Sequence, residues 1–434
     1  MSDQISPRQA TRSHRWLLIG SANGSTNLGD ESMWLAAADV LRSEHPHSTI
    51  VTDAAPGWES GLERVELHPF LLESLRRGKF LSPWTHRSRI VASIERLVSR
   101  PGRVAYARRA LARAKKGPRT KLQRQWYNEV RSADAVIFTG AGAINDDYAA
   151  HGVYSWSLLT HWAHTLGKPV AFLGQGLGPL DASNAAETAK MLKLANVITV
   201  REETSLHLAT SLIDGAGVTP LLTPDWALAL PATSSAQSDA RQLVEVVIGG
   251  GPFIAMSFHR RRAGSSDLLD QVAVLAESLV EAFRLQGLKV LFVPNMRGNR
   301  FSDDRETARI LVRSWSAANR DHMTILEPET GPAVTKALLG LADYLISSRY
   351  HPMVFALAEG TPSFGVAYDD YYVQKLVGVS SIFGLADNVA NLRDPSLTAR
   401  SIIASLTGQR APAADDATVA DIVAPLRTFI AAVR

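Results

Sequence analysis

The sequence predicts an α/β protein of two doubly wound, parallel-sheet domains, with a basic helical insertion in the first. Three observations predict it. A length of 434 residues, 46% hydrophobic and 20% charged, supports two or three packed domains at ~100–200 residues each and excludes a mainly disordered chain. Short β-branched runs ending in glycine, proline or a polar loop alternate with longer helix-like stretches, the pattern of βαβ units. One composition break, the small and polar segment Ala232–Gly251 with its closing glycines, fits an interdomain linker.

In the first domain (1–231) the expected strands are Trp16–Gly20, Thr49–Thr52, Ala135–Thr139, Val170–Gly174 and Val197–Val200, with a weaker one at Pro220–Thr223. In the second (252–434) they are Phe253–Phe258, Leu288–Val293, Met323–Leu326, Tyr344–Ser347 and Ser363–Ala367. The last residues, ATVADIVAPLRTFIAAVR, have helical apolar spacing and are expected to pack back across the domains, on the first in particular.

Composition removes whole classes of function. The chain has no cysteine, so disulfide scaffolds, zinc–thiolate sites, iron–sulfur clusters and cysteine nucleophiles are excluded. No apolar run approaches the ~20 residues of a membrane span. The polar start, MSDQISPRQATRSHR, lacks the apolar core of a signal peptide, so a cytoplasmic protein is expected.

Charge is unevenly placed. The net value is +4, yet the segment Arg76–Arg131 carries 17 Lys/Arg against Glu95 and Glu129, a balance of +15 that leaves −11 for everything else. Parts of this segment have helix-like apolar spacing. Two readings stand: a solvated insertion, or a basic amphipathic surface resting on an anionic membrane. No recognised nucleic-acid motif accompanies the charge, so nucleic acid is not an expected partner.

Ligands of parallel sheets bind beyond the carboxyl ends of the strands. The first strand runs into GSANGSTNLGDE and a helix. Asp30 there is either a helix N-cap or a carboxylate for sugar hydroxyls and base catalysis. No Lys-Ser/Thr pair follows the glycines, which excludes a Walker motif. GAGAINDDY supplies Gly142, Asn145 and Asp146, and GQGLGPL supplies Gln175; such turns serve either close ligand approach or tight strand–helix packing. Arg201 ends its strand, as an anion ligand or as half of a salt bridge. In SSRYHP, Arg349 and His351 stand where a strand gives way to a helix: an anion site with a proton donor beside it, or a structural pair. The run His259-Arg260-Arg261-Arg262 can add charge to the same cleft.

Taken in order, NLGDE, GAG, GQGLGP, TVREETS, PDWAL, SSRYH and AEGTPSFGVAYDD resemble the polysaccharide pyruvyltransferase family, from about Asn23 to Gly378. The resemblance implies a GT-B-like fold, two Rossmann-like domains facing a cleft. It also implies transfer of the pyruvyl group of phosphoenolpyruvate to two hydroxyls of a sugar, with release of phosphate and formation of a ketal. Phosphoenolpyruvate is then a co-substrate, and no cofactor or metal is expected. By the same resemblance Arg201, Arg349 and His351 hold the donor, with Lys375 as a third cation. Asn27, Glu31, Gly142, Asp146 and Gln175 complete the expected substrate-binding set. Protonated His351 is the expected acid and Asp30 the first choice of base, ahead of Glu31 and Asp146. The chain departs from the pattern twice: His259 precedes Arg260 where family members commonly carry arginine, and YDDYYVQK delays the lysine to Lys375.

Two other readings remain open at this level. A GT-B-like glycosyltransferase would use a nucleotide sugar in the same cleft, and a catalytically silent module would only bind glycan. Trp34, Tyr148, Tyr154, Trp156 and Trp162 either stack on an acceptor sugar, which the family's chemistry allows to be lipid-linked, or belong to the core.

Overall fold

The computed structural model describes residues 13–20, 27–55, 57–75, 107–260, 266–298, 303–409 and 411–433. Two parallel sheets form the frame. The first contains β1 (Arg15–Ile19), β2 (Thr49–Asp53), β3 (Val65–His68), β4 (Ala135–Phe138), β5 (Val170–Gln175), β6 (Val197–Val200) and β7 (Leu221–Leu222), in the order β3-β2-β1-β4-β5-β6-β7. The second contains β8 (Phe253–Ser257), β9 (Lys289–Phe292), β10 (Met323–Ile325), β11 (Tyr344–Ser347), β12 (Ser363–Ala367) and β13 (Val389–Asn391), in the order β10-β9-β8-β11-β12-β13.

Register follows burial. Leu17 of β1 pairs with Val51 of β2 and Val136 of β4, and Leu345 of β11 pairs with Ala255 of β8 and Ser363 of β12. The central strands are apolar on both faces because helices cover both faces. Strands β3 and β13, absent from the sequence reading, lie at sheet edges and are half-exposed, so neither carries a continuous apolar run. Each sheet reverses its winding once, between β1 and β4 and between β8 and β11. Those switch points are where a crevice opens.

The segment expected as a linker does connect the sheets, but as a helix, Ser234–Ile248. Thr233 caps its start and Gly249, at φ 67°, closes its end in the left-handed conformation that glycine adopts without strain. Ala236, Ala240 and Val244 repeat every fourth residue and bury one face against the helix Pro332–Gly340. A low-complexity stretch of small residues is here a packed helix.

One apolar cluster runs through both halves. It joins Trp34 and Leu41 of the helix Leu28–Glu44, the turn Trp226–Ala229, the helix Tyr350–Ala358 and the C-terminal helix Asp416–Ala431. That last helix packs on Leu28–Glu44, with Arg427 Nε 3.1 Å from Glu44 Oε1. Lys336 adds a polar tie: its buried ammonium donates to the carbonyls of Leu228 (2.9 Å) and Leu230 (2.6 Å), and burial pushes its pKa down to about 8.

Of the basic insertion, 76–106 lies outside the described residues, as does most of its helix-like spacing. The described part forms helices over 107–115 and Lys121–Ser132 on the flank of the first sheet. No helix among the described residues is long and apolar enough to cross a membrane.

Candidate active site

The helix Leu28–Glu44 leaves the first switch point and meets the helix Tyr350–Ala358 leaving the second. Asn27 caps the former by accepting from Gly29 N (3.2 Å), and its amide donates to Asp30 (2.7 Å). The cap also crosses between domains: Asn295 Nδ2 donates to Asn27 Oδ1 (3.2 Å) and Leu28 N donates to Asn295 O (3.2 Å). Gly29 is required by proximity rather than by backbone conformation, because a Cβ there would overlap the His351 ring. Two helix N-termini, each with positive potential, therefore point into one place.

Arg201 ends β6 and enters this place almost wholly buried. Its Nη1 donates to Asp225 Oδ2 at 2.8 Å, with the two side chains 3% and 1% exposed. Asp225 is held in turn by Ala227 N on its other oxygen (2.8 Å). It stands beside Tyr350, over whose ring the Arg201 guanidinium sits at 4.9 Å, and it lies 3.9 Å from His351 Nε2. One carboxylate of the first domain thus gathers an arginine of its own domain and two side chains of the other.

His351 differs from expectation in its proton. Burial pushes its pKa down to about 3, and Arg201, Lys375 and Arg349 push the same way against the pull of Asp225. The imidazole is neutral here, and its buried Nε2 has no hydrogen-bond partner among the described residues. An anion placed beside Nε2 would reverse both influences.

Lys375 reaches the cleft from the second domain despite its delayed position. A point one bond from the Gly142 backbone lies 3.7 Å from Arg201 Nη2 and 3.8 Å from Lys375 Nζ, so both cations stand over the bare backbone of GAG. The Lys375 ammonium sits 4.4 Å over the Tyr371 ring, and burial lowers its pKa. Gly176 is equally bare beside Arg201 and Glu202. Ser205 donates to Glu202 Oε1 (2.9 Å), while Glu202 Oε2 is buried with no hydrogen-bond partner among the described residues.

Arg349 is fixed differently. Its Nε donates to Asp304 Oδ2 (3.0 Å) and its Nη2 to Asp304 Oδ1, a two-pronged pair inside the second domain. Asp304 also accepts from the backbone of Asn295 (3.0 Å) and Met296 (2.8 Å).

Other expected residues serve the frame. Gln175 is fully buried and donates to the carbonyls of Phe138, Thr139 and Leu173, clamping β4 to β5. Asp146 accepts from Asp181 N (2.9 Å) and Asn184 Nδ2 (2.6 Å), tying down the start of the helix Ala182–Leu192. Glu31 accepts from Trp58 Nε1 (2.9 Å), and burial raises its pKa. His259 is buried against Tyr368 and Tyr372, with Ser348 Oγ 2.9 Å from its Nδ1. Arg260 is exposed, and Arg261 and Arg262 lie outside the described residues. Trp34, Tyr154, Trp156 and Trp162 are core, whereas Tyr148 is 53% exposed.

The sequence reading assigned no role to Asp225, Glu202, Tyr350 or Asp304. PDWAL and TVREETS had signalled the first two as motifs; nothing had marked Asp304 as the partner of Arg349. One trio of metal-ligand types among the described residues, Glu66, His68 and Glu129, lies within 4.8 Å at the edge strand. Arg15 pairs with both of its carboxylates at 2.6 Å, so a guanidinium already neutralises them.

Among solved structures, the chain is similar in fold to the UDP-GlcNAc 2-epimerase of Methanocaldococcus jannaschii. The TM-score is 0.54 at 9% identity, covering 96% of this chain and 100% of that one. It is also similar to a UDP-forming trehalose-phosphate synthase of Burkholderia xenovorans, with a TM-score of 0.50 at 12% identity over 97% and 98% of the two chains. These likenesses bear on the fold alone, the GT-B arrangement of two Rossmann-like domains about a cleft. No match emerges among curated proteins. A family model described as polysaccharide pyruvyl transferase matches residues 27–370. That span begins at the Asn27 cap and takes in Arg201, Asp225, Arg349 and His351: the chain belongs to the polysaccharide pyruvyl transferase family.

Proposed function

We propose that the protein transfers the pyruvyl group of phosphoenolpyruvate to two hydroxyls of a sugar in a cell-surface glycan precursor. The product is a cyclic ketal and the leaving group is phosphate. The observation that carries the reading is the pair of cations, Arg201 and Lys375, brought from opposite domains to the bare backbone at Gly142 beside His351. A donor with about three negative charges needs several positive groups and close backbone approach, and charge-assisted hydrogen bonds to such groups are the strong ones.

The residues divide the chemistry as follows. Arg201, Lys375 and Arg349 receive the donor's phosphate and carboxylate. The donor's charge raises the His351 pKa, and His351 gives its proton to the CH₂ carbon, which makes C2 electrophilic. A sugar hydroxyl adds to C2 as a carboxylate takes its proton. The C2–O bond to phosphate then breaks, the second hydroxyl closes the ring, and its proton leaves with phosphate. Asp30 and Glu202 are the carboxylates available to the cleft. Both stand within electrostatic reach of Arg201 and Lys375.

Calorimetry and phosphate release test the reading together. Phosphoenolpyruvate binds the wild type, binding weakens at least tenfold in Lys375→Ala for loss of one charged hydrogen bond at ~1.5–3 kcal/mol, and phosphate appears only when donor and sugar are both present. Binding of nucleoside diphosphates instead would overturn it in favour of nucleotide-sugar transfer. Donor binding without phosphate release across sugar acceptors would leave a binding module.

A further inference from the structure

We propose that the face built by residues 107–115 and the helix Lys121–Ser132 docks the protein on an anionic lipid surface by charge alone, without insertion. The naming of lipid as partner rests on the proposed glycan-precursor reaction; the charge geometry stands without it.

The face is ordered as two stripes. On the first helix and its closing turn, Arg109, Arg113 and Lys116 follow at intervals of four and three, so they share one side, and all are exposed. On the second, Lys121, Arg124 and Arg131 fall on a common exposed side, with Asn128 completing the stripe. Arg119 is exposed between them. None of these cations has a carboxylate partner among the described residues. Glu129, the acid of this stretch, is half-buried and paired with Arg15.

Two other cations of the segment are turned inward as anchors. Arg108 Nε donates to the Tyr154 hydroxyl (2.7 Å), and Lys115 Nζ donates to Glu187 (2.6 Å). The apolar side is spent as well: Ala107, Leu111, Ala114, Trp126 and Val130 are buried in the core beneath the first sheet. An amphipathic helix of the inserting kind keeps that side for the acyl boundary. Here it is committed to the fold, and only charge faces outward.

The charge balance also orients the molecule. The described part of the segment, 107–131, carries nine Lys/Arg against Glu129, a balance of +8, so an anionic surface attracts this flank. Single-stranded nucleic acid is the less suitable polyanion. Its binding faces interleave cations with stacking aromatics, whereas Trp126 is buried and Tyr127 half-buried.

Sedimentation of the full chain with vesicles tests the proposal. Phosphatidylcholine vesicles containing phosphatidylglycerol should pellet the protein at low salt, pure phosphatidylcholine should not, and raising salt to about 0.5 M should release it as screening shortens to a few ångströms. Each cation near the surface is worth ~5-fold in partition, so the combined Arg109→Gln, Arg113→Gln and Lys116→Gln variant should bind about a hundredfold more weakly. Neutralising the exposed Arg241, Arg393 and Arg400 should leave binding unchanged. Phosphate release with a soluble acceptor should be the same in all these proteins, so loss of docking and failure of the proposed reaction are read separately. Equal recovery on both vesicles, salt-resistant binding, or full binding by the triple variant would each overturn the proposal. So would tighter binding to single-stranded RNA than to the anionic vesicles.

Discussion

Arg201 follows β6 of the first sheet and Arg349 follows β11 of the second, and each is held by a buried aspartate, yet the two pairs do different work. Arg349 and Asp304 belong to the same domain, and the arginine keeps a 16% exposed edge. Arg201 and Asp225 are sealed, and Asp225 also reaches Tyr350 and His351 across the boundary. The Arg349 fork is preset within its lobe and stays so wherever the other lobe lies. The Arg201–Asp225 pair is also internal to its lobe, but its contacts to Tyr350 and His351 are made only while the lobes are together. One arginine is thus fixed by contacts inside its own lobe, and the other also touches residues of the facing lobe.

The largest expected effect separates the two pairs. Asp225→Asn leaves the Arg201 charge buried and uncompensated, a loss of about 3–5 kcal/mol in unfolding free energy. Asp304→Asn leaves Arg349 able to reach water and should cost about 1–3 kcal/mol. Urea unfolding of both variants checks this, and equal losses would break the comparison.

Next comes His351→Gln. It keeps a side chain of similar reach but removes the proton donor, so turnover should fall by ~10²–10⁴ while the affinity for phosphoenolpyruvate changes little. Unchanged turnover would take His351 out of the chemistry.

Lys336 sharpens the contrast, because it ties the lobes through backbone carbonyls rather than through a carboxylate of the facing lobe. In the unfolded chain it titrates at its ordinary 10.5, in the folded protein at about 8. Below pH 8 both states are protonated and the full cost of burying the charge is present. Between 8 and 10.5 the folded protein sheds the proton first, so stability rises with pH by up to about 3 kcal/mol at 1.36 kcal/mol per unit. Lys336→Met should lack this rise. The same slope in both proteins would assign it to other groups.

The smallest change is Gly29→Ala. One methyl against the His351 ring should cost about 1–3 kcal/mol of stability by overpacking and lower turnover by displacing the imidazole. A neutral outcome in both would show that the two helix starts do not bear on each other.

Much of this cleft was legible in the sequence, for a physical reason. Arg201, Arg349 and His351 stand at the joints of strand and helix, and parallel sheets put those joints at the crevice. Asp225 was marked by its motif PDWAL but given no role, because it follows β7, an edge strand of two residues. Asp304 escaped because its partner lies 45 positions away, and no local pattern encodes such a pairing. Gln175 and Asp146 have the chemistry of ligands, but the Gln175 amide nitrogen is used on carbonyls and one Asp146 oxygen on a helix start. The edge strands β3 and β13 and the helix Ser234–Ile248 were missed for want of strong apolar runs. What the sequence concealed was mostly which polar groups the fold had already occupied.

The helix Asp416–Ala431 lies on a helix synthesised several hundred residues earlier. At ~5–20 residues per second, Trp34 and Leu41 are synthesised well over ten seconds before Ile422 and Leu426, which complete the same apolar cluster. During that interval the nascent first lobe presents an uncovered greasy seam to the ribosome surface and to chaperones. The seam therefore closes only when this helix arrives, and a ribosome stalled before residue 416 holds a lobe with its seam still open.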